Sequence, residues 1–178
     1  MTAVIRWAAT NSAALALLLL AAAAPAGADS GAGGRFPDLG DCDELRVEEG
    51  NIVAFQAYAL GVQIYRWDGV AWKFVAPRAV LYHGRGVVAT HSAGPIWKSN
   101  SGSTVVGSTV DFCTPDPDAI PWLKLKAKST TGPGIFDGVT FIQRLYTEGG
   151  LAPDEPGDFV GDVAEVPYAA LYVFYRKP

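Results

Sequence analysis

The chain has few of the residues that build metal and redox sites, with two cysteines and two histidines among 178 residues. Cys42 and Cys113 do not form a C-x-x-C pair, which argues against a thiol redox enzyme. If residues 84–86 turn a hairpin, His83 pairs with Val87 and His91 with Ala79. The two imidazoles then lie roughly 13 Å apart at about 3.3 Å per residue. One zinc ion cannot bind both, so we predict no metal site.

Two acidic loops offer the oxygen ligands that calcium prefers. Their carboxylates belong to Asp116, Asp118, Asp154, Glu155, Asp158 and Asp162. Acidic loops more often form solvated surface. Calcium therefore stays the weaker interpretation.

Positive charge is also scarce, since the chain carries a formal net charge of −4. Arg6 is the only charged residue among residues 1–28, so the remainder has 13 basic and 18 acidic side chains, a net charge of −5. This balance gives no electrostatic reason to bind nucleic acid or anionic lipid. After residue 28 no apolar run reaches the length of a membrane span, so we expect no integral membrane segment there.

The N-terminus has the layout of a secretory signal peptide. Arg6 precedes an apolar run over 13–24, and small residues at 26–28 fit signal peptidase. The run is too short to span a bilayer, which needs roughly twenty residues. We predict cleavage before Asp29, a flexible leader over 29–41, and a single secreted domain over 42–178.

The domain itself is predicted to be all-β, an antiparallel sandwich or barrel of about 8–10 short strands. Apolar runs alternate with Gly, Pro, Asn and Asp clusters, and no long segment has a helical period. The predicted strands are Arg46–Glu49, Val53–Ala59, Val62–Trp67, Trp72–Ala76, Ala79–His83, Val87–His91, Thr104–Phe112, Trp122–Ser129, Val139–Thr147 and Tyr168–Tyr175. Asp68-Gly69 predicts a hairpin turn.

Two strands indicate which faces are covered. Alternation over Trp122–Lys128 predicts a dry face of Leu123, Leu125 and Ala127 and a wet face of Lys124, Lys126 and Lys128. Tyr168–Tyr175 is apolar on both faces. That strand is either covered on both sides or lines a cavity.

In an exported chain, Cys42 and Cys113 are expected to form a disulfide rather than stay free thiols. The bridge would close a loop of about seventy residues and stabilise the fold by roughly 4 kcal/mol.

Residues 84–89, Gly-Arg-Gly-Val-Val-Ala, match the G-x-G-x-x-A form of the dinucleotide fingerprint. The fingerprint needs a helix at its end and an acidic residue about twenty positions on. Gly94-Pro95 rules out a helix of useful length, and the first downstream acid is Asp111. We interpret the segment as a hairpin turn, reject an NAD-dependent dehydrogenase, and predict no cofactor.

Binding is the function that the composition favours, because aromatic rings with wet polar edges suit a polysaccharide or a small extracellular ligand. His91 and Trp97 form the first candidate site, and Gln143, Arg144 and Tyr168 the second. The alternative for each ring is core packing, and Gln143-Arg144 could instead be a buried network. On the binding interpretation, Trp97→Ala should abolish binding and leave the fold intact.

Two other functions stay open. One is an extracellular hydrolase with a dispersed site of His91, Ser101 or Ser103 and an acid, whose activity would rise through roughly pH 6 to 7. The other is a structural surface protein with no small ligand. The oligomeric state is not predicted.

Several segments in order carry a resemblance: WKFVAP (72–77), THSAGPIW (90–97), SGSTVVG (101–107), AIPWL (119–123), VTFIQR (139–144), GGLAP (149–153), VPY (166–168) and Phe174-Tyr175. Together they resemble a secreted bacterial and fungal family of domains of unknown function, number 3455, over Leu45 to Tyr175. The resemblance implies one extracytoplasmic domain and carries no established reaction, ligand or catalytic residue. Ser92, Lys124 and Leu171 depart from the family pattern.

Overall fold

The structure is a computed structural model that describes residues 35–178. The predicted signal peptide, residues 1–28, lies outside the described residues. A 3-10 turn, Asp43–Leu45, precedes eight strands: β1 (Ile52–Trp67), β2 (Trp72–His83), β3 (Gly86–Ser92), β4 (Ile96–Ser99), β5 (Thr104–Cys113), β6 (Trp122–Thr131), β7 (Val139–Gly149) and β8 (Val163–Arg176). In the part of the chain described, no helix has the length and apolarity that a membrane crossing needs.

Each strand pairs antiparallel with the next, and β8 pairs with β1, so the sheet closes into a barrel. Because the sheet is closed, each strand has a hydrogen-bonded neighbour on both sides over at least part of its length. The prediction of an all-β antiparallel fold is confirmed, and the architecture is the barrel. Because strand direction alternates, the loops after β1, β3, β5 and β7 form one end, which we call the open end. We call the other the closed end.

The closed end is filled by the loop between β6 and β7. Phe136 is fully buried there and packs on Phe174 with ring centroids 4.8 Å apart. The Phe136 N–H donates to Ser103 Oγ at 3.3 Å. This loop therefore blocks the lumen at the closed end, and access to the lumen lies at the open end.

Two predicted strand breaks are wrong. β1 runs through Gly61, which faces the lumen where the backbone of β2 approaches so closely that a Cβ would collide with Arg78. Glycine here permits close strand approach rather than a turn. β2 runs through Pro77, which pairs with β1, while β3 pairs with β2 only from Ala79 onward. Proline is tolerated where a strand has a partner on one side only.

Two further strand predictions are wrong. Arg46–Glu49 forms no strand and follows the 3-10 turn as irregular chain. Ile96–Ser99 is a strand that the prediction missed, since it has only four residues and follows Gly94-Pro95.

Both predicted hairpin turns are confirmed. β1 and β2 are joined across Asp68-Gly69, with Gly69 at a φ of 98°. Residues 84–85 turn between β2 and β3. His91 pairs with Ala79 as predicted, whereas a bulge at Leu81/Tyr82 shifts His83 from Val87 to Gly86.

The N-terminal segment, residues 35–51, covers the outer face of β6, β7 and β8. Leu45 is fully buried in a second apolar cluster there, together with Leu145 and Val173. Phe36, inside the predicted leader, stacks on Tyr175 at 6.0 Å. The predicted disulfide between Cys42 and Cys113 is confirmed and fastens this segment to the end of β5.

The predicted wet face of β6 is wrong at Lys124. Its side chain lies beneath the N-terminal segment, with 8% of the residue exposed. Nζ donates to the carbonyl oxygens of Glu44 at 2.7 Å and Arg46 at 3.3 Å, and it pairs with Asp111 at 2.8 Å. A buried ammonium with three oxygen partners satisfies its hydrogen-bonding capacity.

Candidate functional site

His91 and Trp97 stand opposite each other on β3 and β4 and point into the lumen. Their rings stack with centroids 4.3 Å apart and planes 7° apart. Tyr172 of β8 meets both edge-on, at 5.2 Å from His91 and 5.4 Å from Trp97. Trp97 is 0% exposed and His91 4% exposed. The first candidate pair is therefore assembled, but inside the barrel and not on its surface.

The protonation state of His91 follows from its surroundings. Nδ1 lies 3.0 Å from the Ile96 carbonyl oxygen, which can only accept, so Nδ1 carries the hydrogen and Nε2 the lone pair. Burial lowers the pKa of His91 to about 4, opposed by this hydrogen bond and reinforced by Arg144. The ring is neutral at neutral pH. A titration of His91 between pH 6 and 7, as the hydrolase hypothesis required, does not fit this pKa.

Arg144 places a positive charge in the lumen. On β7 it pairs with Leu123 on one side and Tyr172 on the other. Its Nε and Nη2 both donate to the Pro121 carbonyl oxygen, at 3.1 and 2.8 Å. Within residues 35–178 no carboxylate lies within 4.0 Å of the guanidinium. Pro121 takes two of its five N–H groups, and a hydrogen bond from Arg144 to the Tyr172 hydroxyl also works against the raised pKa of that hydroxyl.

Three tyrosines surround this cation. The hydroxyls of Tyr168 and Tyr172 lie 3.5 Å apart, and the Tyr65 hydroxyl donates to the Gly150 carbonyl oxygen at 2.6 Å. Burial raises the pKa of all three hydroxyls, and the charge of Arg144 opposes each rise. The tyrosines are thus neutral, so they do not neutralise Arg144.

A cavity of about 190 Å³ at the open end is lined by His91, Trp97, Arg144 and Tyr172, whereas Tyr65 and Tyr168 do not border it. Its wall runs from the exposed Phe74 and Val75 to the buried Trp97. The complete lining is Phe74, Val75, Pro77, His91, Ala93, Gly94, Pro95, Trp97, Thr109, Leu123, Leu125, Arg144 and Tyr172. The cavity is predominantly apolar with Arg144 as its charged group.

The buried side chains of the described residues leave two hydrogen-bond donors without a partner, Gln63 Nε2 and Trp97 Nε1. Gln63 belongs to the lumen wall, since it pairs with Pro77 on the same inner face. Buried donors without partners are rare in proteins. With Arg144, these atoms place several hydrogen-bond donors in the lumen.

Gln143 is not part of this arrangement, because adjacent strand residues point to opposite faces. Its Nε2 donates to the Leu45 carbonyl oxygen at 2.7 Å, and its Oε1 accepts from the Tyr175 hydroxyl at 2.5 Å. The second candidate set is therefore divided. Arg144 and Tyr168 lie inside the barrel, whereas Gln143 lies on the outer face of the barrel and binds the N-terminal segment there. For Gln143 the alternative of a buried network describes the geometry.

The serines considered for hydrolysis lie elsewhere. Ser99 Oγ bonds to Ser101 Oγ at 2.9 Å and to Ser103 Oγ at 2.8 Å, at the closed end. His91 lies near the open end of β3. The structure does not bring these hydroxyls together with His91.

Carboxylates in the acidic loops accept hydrogen bonds from backbone N–H groups of the same loops. Asp116 accepts from the Asp118 N–H at 2.9 Å, and Asp162 from the Phe159 N–H at 2.9 Å. Within residues 35–178 no three His, Cys, Asp or Glu side chains are grouped so that they could hold a metal ion.

Sequence reasoning missed Tyr172 and Gln63. Tyr172 lies four residues after Tyr168 on the same strand, so the strand period places both on one face. That signal was present in the sequence. Gln63 lies two residues before Tyr65 on β1, so the same period places these two side chains on one face. Its position beside Tyr168 follows from the pairing of β1 with β8, which no local pattern predicts.

The family comparison covers most of this site. A family model described as Protein of unknown function (DUF3455) matches residues 82–176, from the end of β2 to the end of β8. The matched part includes His91, Trp97, Arg144 and Tyr172. No curated protein and no solved structure gives a significant match. Since the match spans more than half of the chain, this protein belongs to the DUF3455 family of proteins of unknown function.

Proposed function

We propose that this protein acts outside the cytoplasm as a binding protein for a small, mainly apolar ligand that carries a carboxylate. The observation that carries the proposal is the Arg144 guanidinium, which borders the lumen cavity without a carboxylate partner among residues 35–178. A partly buried charge is costly unless it is paired. A ligand carboxylate would supply that partner through charge-assisted hydrogen bonds.

The other polar groups favour an acceptor over a donor. His91 and the tyrosines are neutral, so no anion in the lumen competes for Arg144. Trp97 Nε1 adds an unpartnered donor. An incoming carboxylate satisfies donors, whereas an amine would meet Arg144 as a like charge.

The size of the cavity favours a small molecule. Its volume of about 190 Å³ is below the roughly 300–1,000 Å³ of typical ligand pockets. Eight-stranded barrels have room for either side chains or one small ligand. A polysaccharide that stacks on Trp97 is less well supported, because His91 already covers a face of the indole.

The experiment compares acids with their amides. Benzoate, phenylacetate and hexanoate, each with its amide, are titrated into the 29–178 fragment at neutral pH. Binding is followed by calorimetry and by the NMR signal of the Trp97 indole N–H. A charge-assisted bond contributes about 1.5–3 kcal/mol, so an acid should bind roughly ten- to hundredfold more tightly than its amide.

Arg144→Met should remove this preference, and Arg144→Lys should keep part of it. The matched control is Arg78→Met, which removes an exposed cation that pairs with Glu165 on the outer face. Equal binding of acid and amide, or an unchanged preference in Arg144→Met, would refute the proposal.

Export is part of the proposal and has its own test. The disulfide is compatible with an oxidising compartment. Expression of the full chain in a secreting host should yield a product that begins at Asp29, measured by intact mass. Replacing Ala26 and Ala28 with Asp should block this processing. A full-length cytoplasmic product from the natural sequence would contradict export.

A further inference from the structure

Three apolar side chains project into solvent beside the open end. Val70 is 84% exposed, and Phe159 and Val160 are each 75% exposed. Val70 lies in the β1–β2 turn, and the other two lie in the loop before β8. A Cβ placed on Gly69 would lie 3.1 Å from Val160 Cγ2, so turn and loop adjoin. We call these three side chains the apolar ridge.

The ridge is held in place by its base. The Trp67 N–H donates to the Asp162 carbonyl oxygen at 2.9 Å, and the Gly161 N–H donates to the Trp67 carbonyl oxygen at 2.8 Å. Trp72 Nε1 donates to the Glu155 carbonyl oxygen at 2.9 Å. The exposed apolar groups therefore sit on a fixed loop, and a preformed surface binds with less loss of conformational entropy.

The charge around the ridge is negative. Asp154, Glu155 and Asp158 are exposed, and no Lys or Arg occurs between Arg144 and Arg176. Two cations lie nearby: Lys73 pairs with Asp68 at 3.6 Å, and the exposed Arg66 stands beside Lys73 and Val163 in the sheet. The acidic side chains of the turn and loop outnumber them. Exposed apolar patches with polar rims mark interaction sites. Here the rim repels anionic lipid and a second acidic rim, and it attracts basic groups.

We propose that the apolar ridge docks a partner protein through a segment with apolar side chains flanked by Lys or Arg. The apolar side chains of the partner cover Val70, Phe159 and Val160, and its cations face Asp154, Glu155 and Asp158. This interaction is independent of the ligand in the lumen, because none of these residues lines the cavity.

The test uses a synthetic peptide of alternating Lys and Phe, with Glu-for-Lys and Ser-for-Phe versions. The Lys–Phe peptide should bind the 29–178 fragment at least about tenfold more tightly than either version. NMR shifts should change at 68–71 and 154–162. The variant V70S/F159S/V160S should lose binding, as should D154N/E155Q/D158N. Y58S/L60S, which alters exposed apolar residues on the outer face of β1, should retain it.

Thermal unfolding checks that each variant is folded. If V70S/F159S/V160S does not fold, the binding of the peptide to D154N/E155Q/D158N tests the proposal instead. Equal affinity for the Glu peptide, or undiminished binding to D154N/E155Q/D158N, would overturn the proposal. So would a dimer in analytical ultracentrifugation, or flotation with phosphatidylcholine vesicles, that the ridge substitutions abolish. Those results would identify a second copy or a membrane as the occupant.

Discussion

The imidazole of His91 lies flat against the indole of Trp97, 4.3 Å between centroids, in the middle of the lumen core. The two residues are cross-strand partners on β3 and β4, and Tyr172 closes the group from β8. A titratable ring is thus packed as a core aromatic. Its protonation and the packing of the barrel are therefore linked.

Acid should destabilise the fold through His91. The pKa of His91 is about 4 in the folded protein against the ordinary imidazole value of 6.5, so the unfolded chain binds the proton first. The contribution of His91 to stability is fully present above pH 6.5. It is lost as the pH decreases from 6.5 through 4, and this shift in pKa corresponds to about 3 kcal/mol. The measurement is the free energy of unfolding in denaturant across this pH range.

His91→Gln should flatten that pH dependence, because the neutral amide does not titrate. His83→Gln, which changes the other histidine, should leave it in place. A His91→Gln protein with the same slope as the natural chain would show that other groups cause the acid sensitivity.

Truncation of Trp97 should unfold part of the population rather than only abolish binding. The side chain is fully buried and contacts His91, Tyr172 and Phe174. Trp→Ala changes in cores cost roughly 3–5 kcal/mol. We therefore expect Trp97→Ala to destabilise the fold, in place of the sequence-based prediction that the fold stays intact. Denaturant unfolding of Trp97→Ala tests this, with the exposed Phe112→Ala expected within about 0.5 kcal/mol of the natural chain. A stable Trp97→Ala protein would mean that the lumen collapses without cost.

The strand alternation of the sequence predicted much of the barrel, and its errors have physical causes. Gly61 and Pro77 predict breaks when the chain is read locally, but a barrel uses glycine where strands approach closely and tolerates proline where pairing is one-sided. Both conditions depend on neighbouring strands. No local pattern contains them.

The candidate site shows the same limit. Arg144 and Gln143 are adjacent on β7, which has apolar neighbours of both residues on both faces (Phe141 and Leu145 beside Gln143, Ile142 beside Arg144). Alternation therefore separates the two side chains without indicating which one faces the lumen. Closure between β8 and β1 decides this. Lys124 is likewise covered by a segment that precedes it by about eighty residues, and the pattern of β6 alone does not predict that coverage.

Removal of the Lys124 ammonium should destabilise the attachment of the N-terminal segment. Lys124→Met leaves the carbonyl oxygens of Glu44 and Arg46 without their donor. Buried acceptors that lose a partner cost about 1–3 kcal/mol, and this is the expected loss in denaturant unfolding. Lys126→Met, on the same face of the strand but exposed, is the matched control with little expected change. Equal effects of the two substitutions would contradict the role assigned to Lys124.

Loss of the disulfide should lower the free energy of unfolding more than Lys124→Met does. Cys42 and Cys113 are 71 residues apart in sequence, and the loop they close limits the freedom of the unfolded chain by about 4 kcal/mol in the chain-entropy model. The variant C42S/C113S should lose about that much stability, and reductant should bring the natural chain to the same value. In hydrogen exchange, protection should fall first at residues 42–46, because Leu45 and Gln143 then hold the N-terminal segment without a covalent anchor. β2 and β3, whose hydrogen-bonded neighbours are β1 and β4, should keep their protection relative to global unfolding. A uniform loss across all strands would mean that the segment and the barrel unfold as one unit.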